Sequence, residues 1–222
     1  NDYVRLYGLR GGEEGTEWVY QETTAGHVRN MMSVGPPIAW APLFLIVTAA
    51  VAVARVFGVG YPLDGFGRLF QASAGFSGIL AATMGVWLTY RLAARFYGPR
   101  VAIWSTLTMW LASSAGYYSV ISPTYSHAVS MLVVSALFLS WGLSLDNQTA
   151  GRYARIGFLA GLCALTRWQD AVFLILPLLD GIAAAHSHKV AWRRQLINLC
   201  VCGLAAFVAF SPQIWVWMTL YG

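Results

Sequence analysis

The chain of 222 residues is 58% hydrophobic and 10% charged, contains ten Trp, and carries a formal net charge of +5 with a positive mean hydropathy. That composition excludes an ordinary soluble domain and marks an integral membrane protein. Its arginines fall mostly between apolar segments, so the basic balance reports topology and anionic lipid, and no nucleic-acid partner is needed to explain it.

Residues 1–35 form the one long polar stretch, with Asp2, Glu13, Glu14, Glu17 and Glu22 against Arg5, Arg10 and Arg29, and read as an extracytoplasmic loop segment. Gly11 and Gly12 lack the preceding strand and the following Gly-Lys-Ser/Thr of a phosphate loop. The carboxylates read as solvated loop charge rather than acid/base groups. Residues 36–58 are apolar and long enough to span, and Pro36 and Pro37 suit a first helical turn. Parity complicates that reading. The next apolar run, 72–90, ends in Arg91, Arg95 and Arg100, the clearest cytoplasmic cluster, which puts 59–69 outside. With 1–35 also outside, 36–58 is a juxtamembrane or re-entrant helix if it is not a transmembrane one.

Residues 70–222 predict a transmembrane bundle of about six crossings, so the fold class is an all-α, polytopic membrane helical bundle. The run 101–119 returns outward with Ser105, Thr106, Thr108, Ser113, Ser114 and Gly116, small and hydroxyl residues that let membrane helices approach closely, and it predicts a buried helix. An outer turn with Pro123, Tyr125 and His127 follows, then an inward run at 128–145 and a polar inner loop at 146–155. Asn147-Gln148-Thr149 matches a glycosylation acceptor, but an inner loop never meets that machinery.

The stretch AGLCALTRWQDAVFLILPLLD at 160–180 places Arg167, Trp168, Gln169 and Asp170 between two apolar runs. Charge in hydrocarbon costs at least about 2.5 kcal/mol per group, so such residues pair, face a wet cavity or mark a site. A continuous helix over 156–185 would be roughly 45 Å long against a core of about 30 Å. As a hairpin, its first arm is roughly 16 Å long and stops inside the bilayer. The hairpin also keeps Arg152 and Arg155 on the same side as Lys189, Arg193 and Arg194. Residues 195–219 then cross outward towards a belt of Trp215, Trp217 and Tyr221. Cys163, Cys200 and Cys202 have no metal spacing and read as small core residues. No inverted repeat stands out. The start without Met and the end directly after an apolar run suggest a fragment cut at both ends.

The outer elements 1–35, 59–69, 123–127 and 167–170 converge on one face and predict an outward-facing site. Arg167 at membrane depth suits a lipid-linked phosphate through bidentate contacts, or a salt bridge to Asp170, or both in turn. His127 is a candidate proton carrier, phosphate or metal contact, or a local cap. Metal use is not legible, and no cofactor is assigned.

Four stretches together resemble the GT-C membrane glycosyltransferases, in particular the branch of protein O-mannosyltransferases and bacterial aminoarabinose transferases: Ser33-Val34-Gly35-Pro36-Pro37, Pro123-Thr124-Tyr125-Ser126-His127, Ala160-Gly161-Leu162-Cys163-Ala164-Leu165-Thr166-Arg167, and Pro212-Gln213-Ile214-Trp215. The resemblance covers nearly the whole chain. It implies an inverting transferase in a bacterial cytoplasmic membrane, taking a sugar from a polyprenyl-phosphate donor to an acceptor lipid, glycan or protein on the outer face. Its Gly-Pro-Pro stretch is implied to be a juxtamembrane helix. Arg167 and His127 would sit near the donor phosphate, Trp168 or Tyr125 would stack on sugar or prenyl chain, and Gln169 and Asp170 would lie at the same site. The family's acidic pair after its first membrane helix has no counterpart here, so the catalytic acid is expected upstream of Asn1. Its lysine before the proline is replaced by Gly35. The competing reading is a multi-pass transporter or flippase with a polar cavity at Arg167 and Asp170.

Overall fold

The computed structural model describes residues 22–30 and 32–222, so the acidic residues expected in the first loop lie outside it, apart from Glu22. Among the described residues the only β pairing is an isolated bridge between Glu22 and Val28, and the fold is all-α. The helices are α1 (Gly35–Val56), α2 (Arg68–Tyr97), α3 (Pro99–Leu111), α4 (Ser114–Val120), α5 (Ser126–Gly142), α6 (Ala150–Thr166), a 3-10 helix (Trp168–Leu174), α7 (Ile175–His186) and α8 (Trp192–Tyr221). Four segments are long and apolar enough to cross a membrane, namely α1, α2, Trp168–His186 and α8, as befits an integral membrane protein. Against an expectation of about six crossings, α5 and α6 are only 17 residues each. At about 26 Å they fall short of a full hydrocarbon core, because both have one end inside the bundle.

Two helix pairs carry most of the packing, α6 with α8 and α2 with α5. Both depend on glycine. Gly157 and Gly161 of α6 lie directly on the backbone of Cys202 and Ala206 in α8, where no Cβ fits. Gly78 of α2 sits on the Pro123 carbonyl, and Gly85 would place a Cβ 2.7 Å from the Met131 backbone. Without a hydrophobic drive between helices in lipid, such close backbone approach is a main source of association. Gly157→Val should therefore cost about 1–3 kcal/mol through overpacking against an unyielding carbonyl, read as a lower unfolding midpoint in detergent.

These contacts also set the register. Positions rise together in each pair, so the partners run parallel, and, with Gly85 opposite Met131, α5 begins level with about the thirteenth residue of α2. Likewise α6 ends about ten residues before α8 does. At 1.5 Å per residue, the start of α5 lies about 18 Å and the end of α6 about 15 Å below the ends of their longer neighbours. The chain then reverses at Arg167, and the 3-10 helix and α7 run back beside α6, where Asp180 meets Arg152 at 2.6 Å.

The segment before α1 descends one wall of this recess. Thr24 donates to the Tyr221 carbonyl at 2.8 Å, and the Val34 amide donates to the buried Gln213 Oε1 at 2.9 Å. Gly35 then touches the end of α6, where a Cβ would lie 2.6 Å from the Leu165 carbonyl oxygen. About 14 Å further along α1, the Phe44 ring meets Phe70 in the first turn of α2 at 5.2 Å, so α1 climbs from floor to rim.

Three expectations are corrected. Residues 101–119 are not one buried helix but α3 and α4, broken at Ala112 and capped by Ser113, with Val101, Trp104 and Leu111 exposed. Two hydroxyls there serve local backbone, Ser105 donating to the Ala102 carbonyl and Ser119 to that of Ala115, whereas Thr106 is buried with no hydrogen-bond partner among the described residues. The stretch 146–155 is not all loop, since Thr149 caps α6 and Arg152 and Tyr153 are buried in it. Cys163 and Cys202 are buried, but Cys200, two residues from Cys202, lies on the exposed side of α8.

Candidate functional site

The floor of the recess is made by two chain reversals. In the first, the amide of Tyr125 donates to the Ser122 carbonyl, and Tyr125 is extended, so that α5 starts at Ser126 with His127 in its first turn. In the second, Arg167 leaves α6 in an extended conformation, and the Asp170 amide returns to the Arg167 carbonyl at 2.9 Å to open the 3-10 helix. The tight turn brings the Arg167 and Asp170 side chains to the same space. It also explains how two charged groups are tolerated at this depth, because each finds a partner on α5.

Arg167 Nη1 lies 2.9 Å from His127 Nδ1. A guanidinium has only donors, so Nδ1 must be the accepting nitrogen, and the imidazole is neutral with its hydrogen on Nε2. The Tyr118 ring stacks on His127 with centroids 3.9 Å apart and an interplanar angle of 22°, holding the imidazole plane. Asp170 is held by Ser130, whose hydroxyl donates to Oδ2 at 2.6 Å. A cavity of about 330 Å³ opens beside these groups, lined also by Ser114, Thr89 and Ser135.

Of the residues singled out from sequence, Arg167, His127 and Asp170 are brought together. The other three are not. Tyr125 is 59% exposed and reaches the site only through the Tyr118 ring at 5.8 Å. Trp168 is 60% exposed and lines a separate apolar groove with Gly161, Ala164, Phe207 and Phe210. Gln169 is exposed and lines neither of these. The salt bridge expected between Arg167 and Asp170 does not form, because His127 and Ser130 take their facing atoms; the only ion pair among the described residues is Arg152 with Asp180.

Sequence reasoning missed Tyr118, Ser130, Thr89 and Ser135. Ser130 was legible, since it follows His127 by three residues and so shares its helix face. Tyr118 and Thr89 come from distant segments, and only the packing of α2 and α4 on α5 brings them in. Among the described residues no three His, Cys, Asp or Glu side chains converge as a metal cluster would require. Compared with protein-family models, characterised proteins and solved structures, the chain matches none.

Proposed function

We propose that this chain belongs to a membrane glycosyltransferase of the GT-C kind and binds a polyprenyl-phosphate sugar donor for transfer on the outer face of a membrane. The observation that carries the reading is the Arg167–His127 pair, set about 15 to 18 Å below the ends of α2 and α8, at the edge of a cavity. His127 occupies one of the five guanidinium N–H groups of Arg167, and those that remain have no partner among the described residues. His127 Nε2–H is a further donor. Donors gathered in a low-dielectric recess favour an anion such as a phosphate diester, and would stabilise the phosphate as it departs from the sugar.

Further features agree with a lipid-borne donor. Trp168 directly follows Arg167, and the separate apolar groove it lines with residues of α6 and α8 offers a path for a prenyl chain. The exposed apolar residues Leu45, Ile46, Val53 and Val56, beyond the point where α1 reaches the rim, give that part of α1 an apolar surface suited to lipid. Arg91, Arg95, Arg100, Lys189, Arg193 and Arg194 lie at the opposite end of the bundle, which would face the bacterial cytoplasm.

The test is turnover of polyprenyl-phosphate sugars by the purified full-length protein that carries this chain, in detergent with candidate lipid, glycan and protein acceptors. Release of free polyprenyl phosphate is the expected result. No consumption in micelles, together with movement of the lipid-linked sugar across the bilayer in reconstituted vesicles, would replace the reading by a transporter or flippase.

A further inference from the structure

We propose that the side of the cavity formed by Asp170, Ser130, Thr89 and Ser135 is a sugar subsite that accepts hydrogen bonds from ring hydroxyls of the ligand. The proposal rests on the function above and adds to it which part of the donor each group of side chains reads.

The argument is an account of hydrogens. Ser130 gives its hydroxyl hydrogen to Asp170 Oδ2 at 2.6 Å. Thr89 gives its own to the Gly85 carbonyl at 3.0 Å, so in the 2.9 Å contact between Thr89 and Ser135 it is Ser135 that donates. Every one of these side chains has therefore spent its hydrogen inside the protein and faces the cavity with acceptor capacity only. Asp170 adds a carboxylate oxygen that has no partner, and no cationic nitrogen lies within 4.0 Å of it among the described residues. Beside Asp170 and Ser130, on the same turn and the same helix face, Arg167 and the Nε2–H of His127 offer donors alone. Ser114, also on the cavity, carries a hydroxyl that can take either role.

A cavity with donors and acceptors side by side fits a ligand that carries an anion next to hydrogen-bond donors. A phosphate by itself would satisfy Arg167, but it would leave the acceptors unanswered and bring negative charge towards Asp170. An apolar ligand would strand a carboxylate without a partner. A sugar ring joined to a phosphate meets both groups, and about 330 Å³, near the lower limit for ligand pockets, suits one ring rather than an oligosaccharide.

The experiment compares binding of two probe classes to the detergent-solubilised protein: polyprenyl phosphate, and a panel of hexosyl and pentosyl esters of the same polyprenyl phosphate. Wild type should bind at least one sugar ester more tightly than the bare phosphate. Asp170→Asn, nearly isosteric, should weaken that ester by about 10- to 100-fold, since a charged acceptor is lost, and leave the bare phosphate unchanged or slightly tighter. Ser135→Ala, which removes a hydroxyl without touching Asp170, should weaken the same ester by a few fold only and carries the comparison if the first variant does not fold. Equal loss for both probes in both variants, or none for either probe, overturns the sugar subsite. Wild type binding the bare phosphate as tightly as every ester overturns it too, while leaving the transferase reading in place. Wild type binding neither class overturns the transferase reading itself, and the subsite with it.

Discussion

Arg167→Ala should reduce sugar transfer by about 10²- to 10³-fold, the scale expected when a positioned donor to a developing charge is removed, and should leave the protein folded. The fold survives because the arginine side chain contributes little to packing. Its one side-chain hydrogen bond goes to His127, and its backbone amide still donates to the Cys163 carbonyl at 2.9 Å whatever side chain it carries. Its extended φ of −147° is open to alanine. Arg167→Lys should recover part of the rate but not all, because an ammonium keeps the charge and loses the planar fork that holds both His127 and a phosphate oxygen. Initial rates at saturating donor, together with an unfolding midpoint for each variant, check this. Full activity in Arg167→Ala would remove the residue from the mechanism.

Asp180→Ala should destabilise the protein by about 3–5 kcal/mol and should do so from the far end of the bundle. Arg152 has no exposed side-chain surface, and its charge is answered by Asp180 Oδ2 at 2.6 Å from Nη1, an off-axis approach that makes an ion pair rather than a hydrogen bond. Only the Ser144 hydroxyl, accepting from Nε at 3.1 Å, and the Tyr153 ring at 5.2 Å assist it. Removing Asp180 leaves a guanidinium buried between α6, α7 and α8 without a counter-charge, and neither water nor lipid can solvate it there. The pair stands about 21 Å along α6 from Thr166, so the side chains of the recess are untouched while the hairpin that forms its floor loosens. Replacing both members, as in Arg152→Met with Asp180→Leu, should restore most of the loss, since an apolar pair of similar volume needs no compensation. Denaturant titration in detergent measures both; a loss below about 1 kcal/mol in the single variant would mean that the pair is hydrated and not truly buried.

Much of the helical organisation was legible because it is local. The apolar runs around residues 36–58, 72–90 and 195–219 become α1, α2 and α8, since a membrane-length apolar segment satisfies its backbone only as a helix. The reversal at Arg167 follows from length, as a helix through it would exceed the bilayer, and α6 indeed ends at Thr166. Residues 101–119 were misread for the converse reason. Their hydroxyls suggested helix contacts, but a hydroxyl can bond its own helix at no cost, and composition does not distinguish the two outcomes.

What the chain determined by itself is the all-α class, the apolar segments long enough to cross a membrane, and the presence of charge where charge is expensive at Arg167 and Asp170. What only the tertiary structure decided is which partners those charges take. Glycines at 78, 85, 157 and 161 set the registers of two parallel helix pairs, and the registers sink both turns to similar depths, where Arg167 meets His127 and Asp170 meets Ser130 rather than each other. Residues three apart on one tight turn look like a salt bridge in sequence. Partners 40 positions away, delivered by backbone contact between helices, outcompete that bridge because they hold hydrogen-bonding atoms within 3 Å of each charge, and no local rule reports that distance.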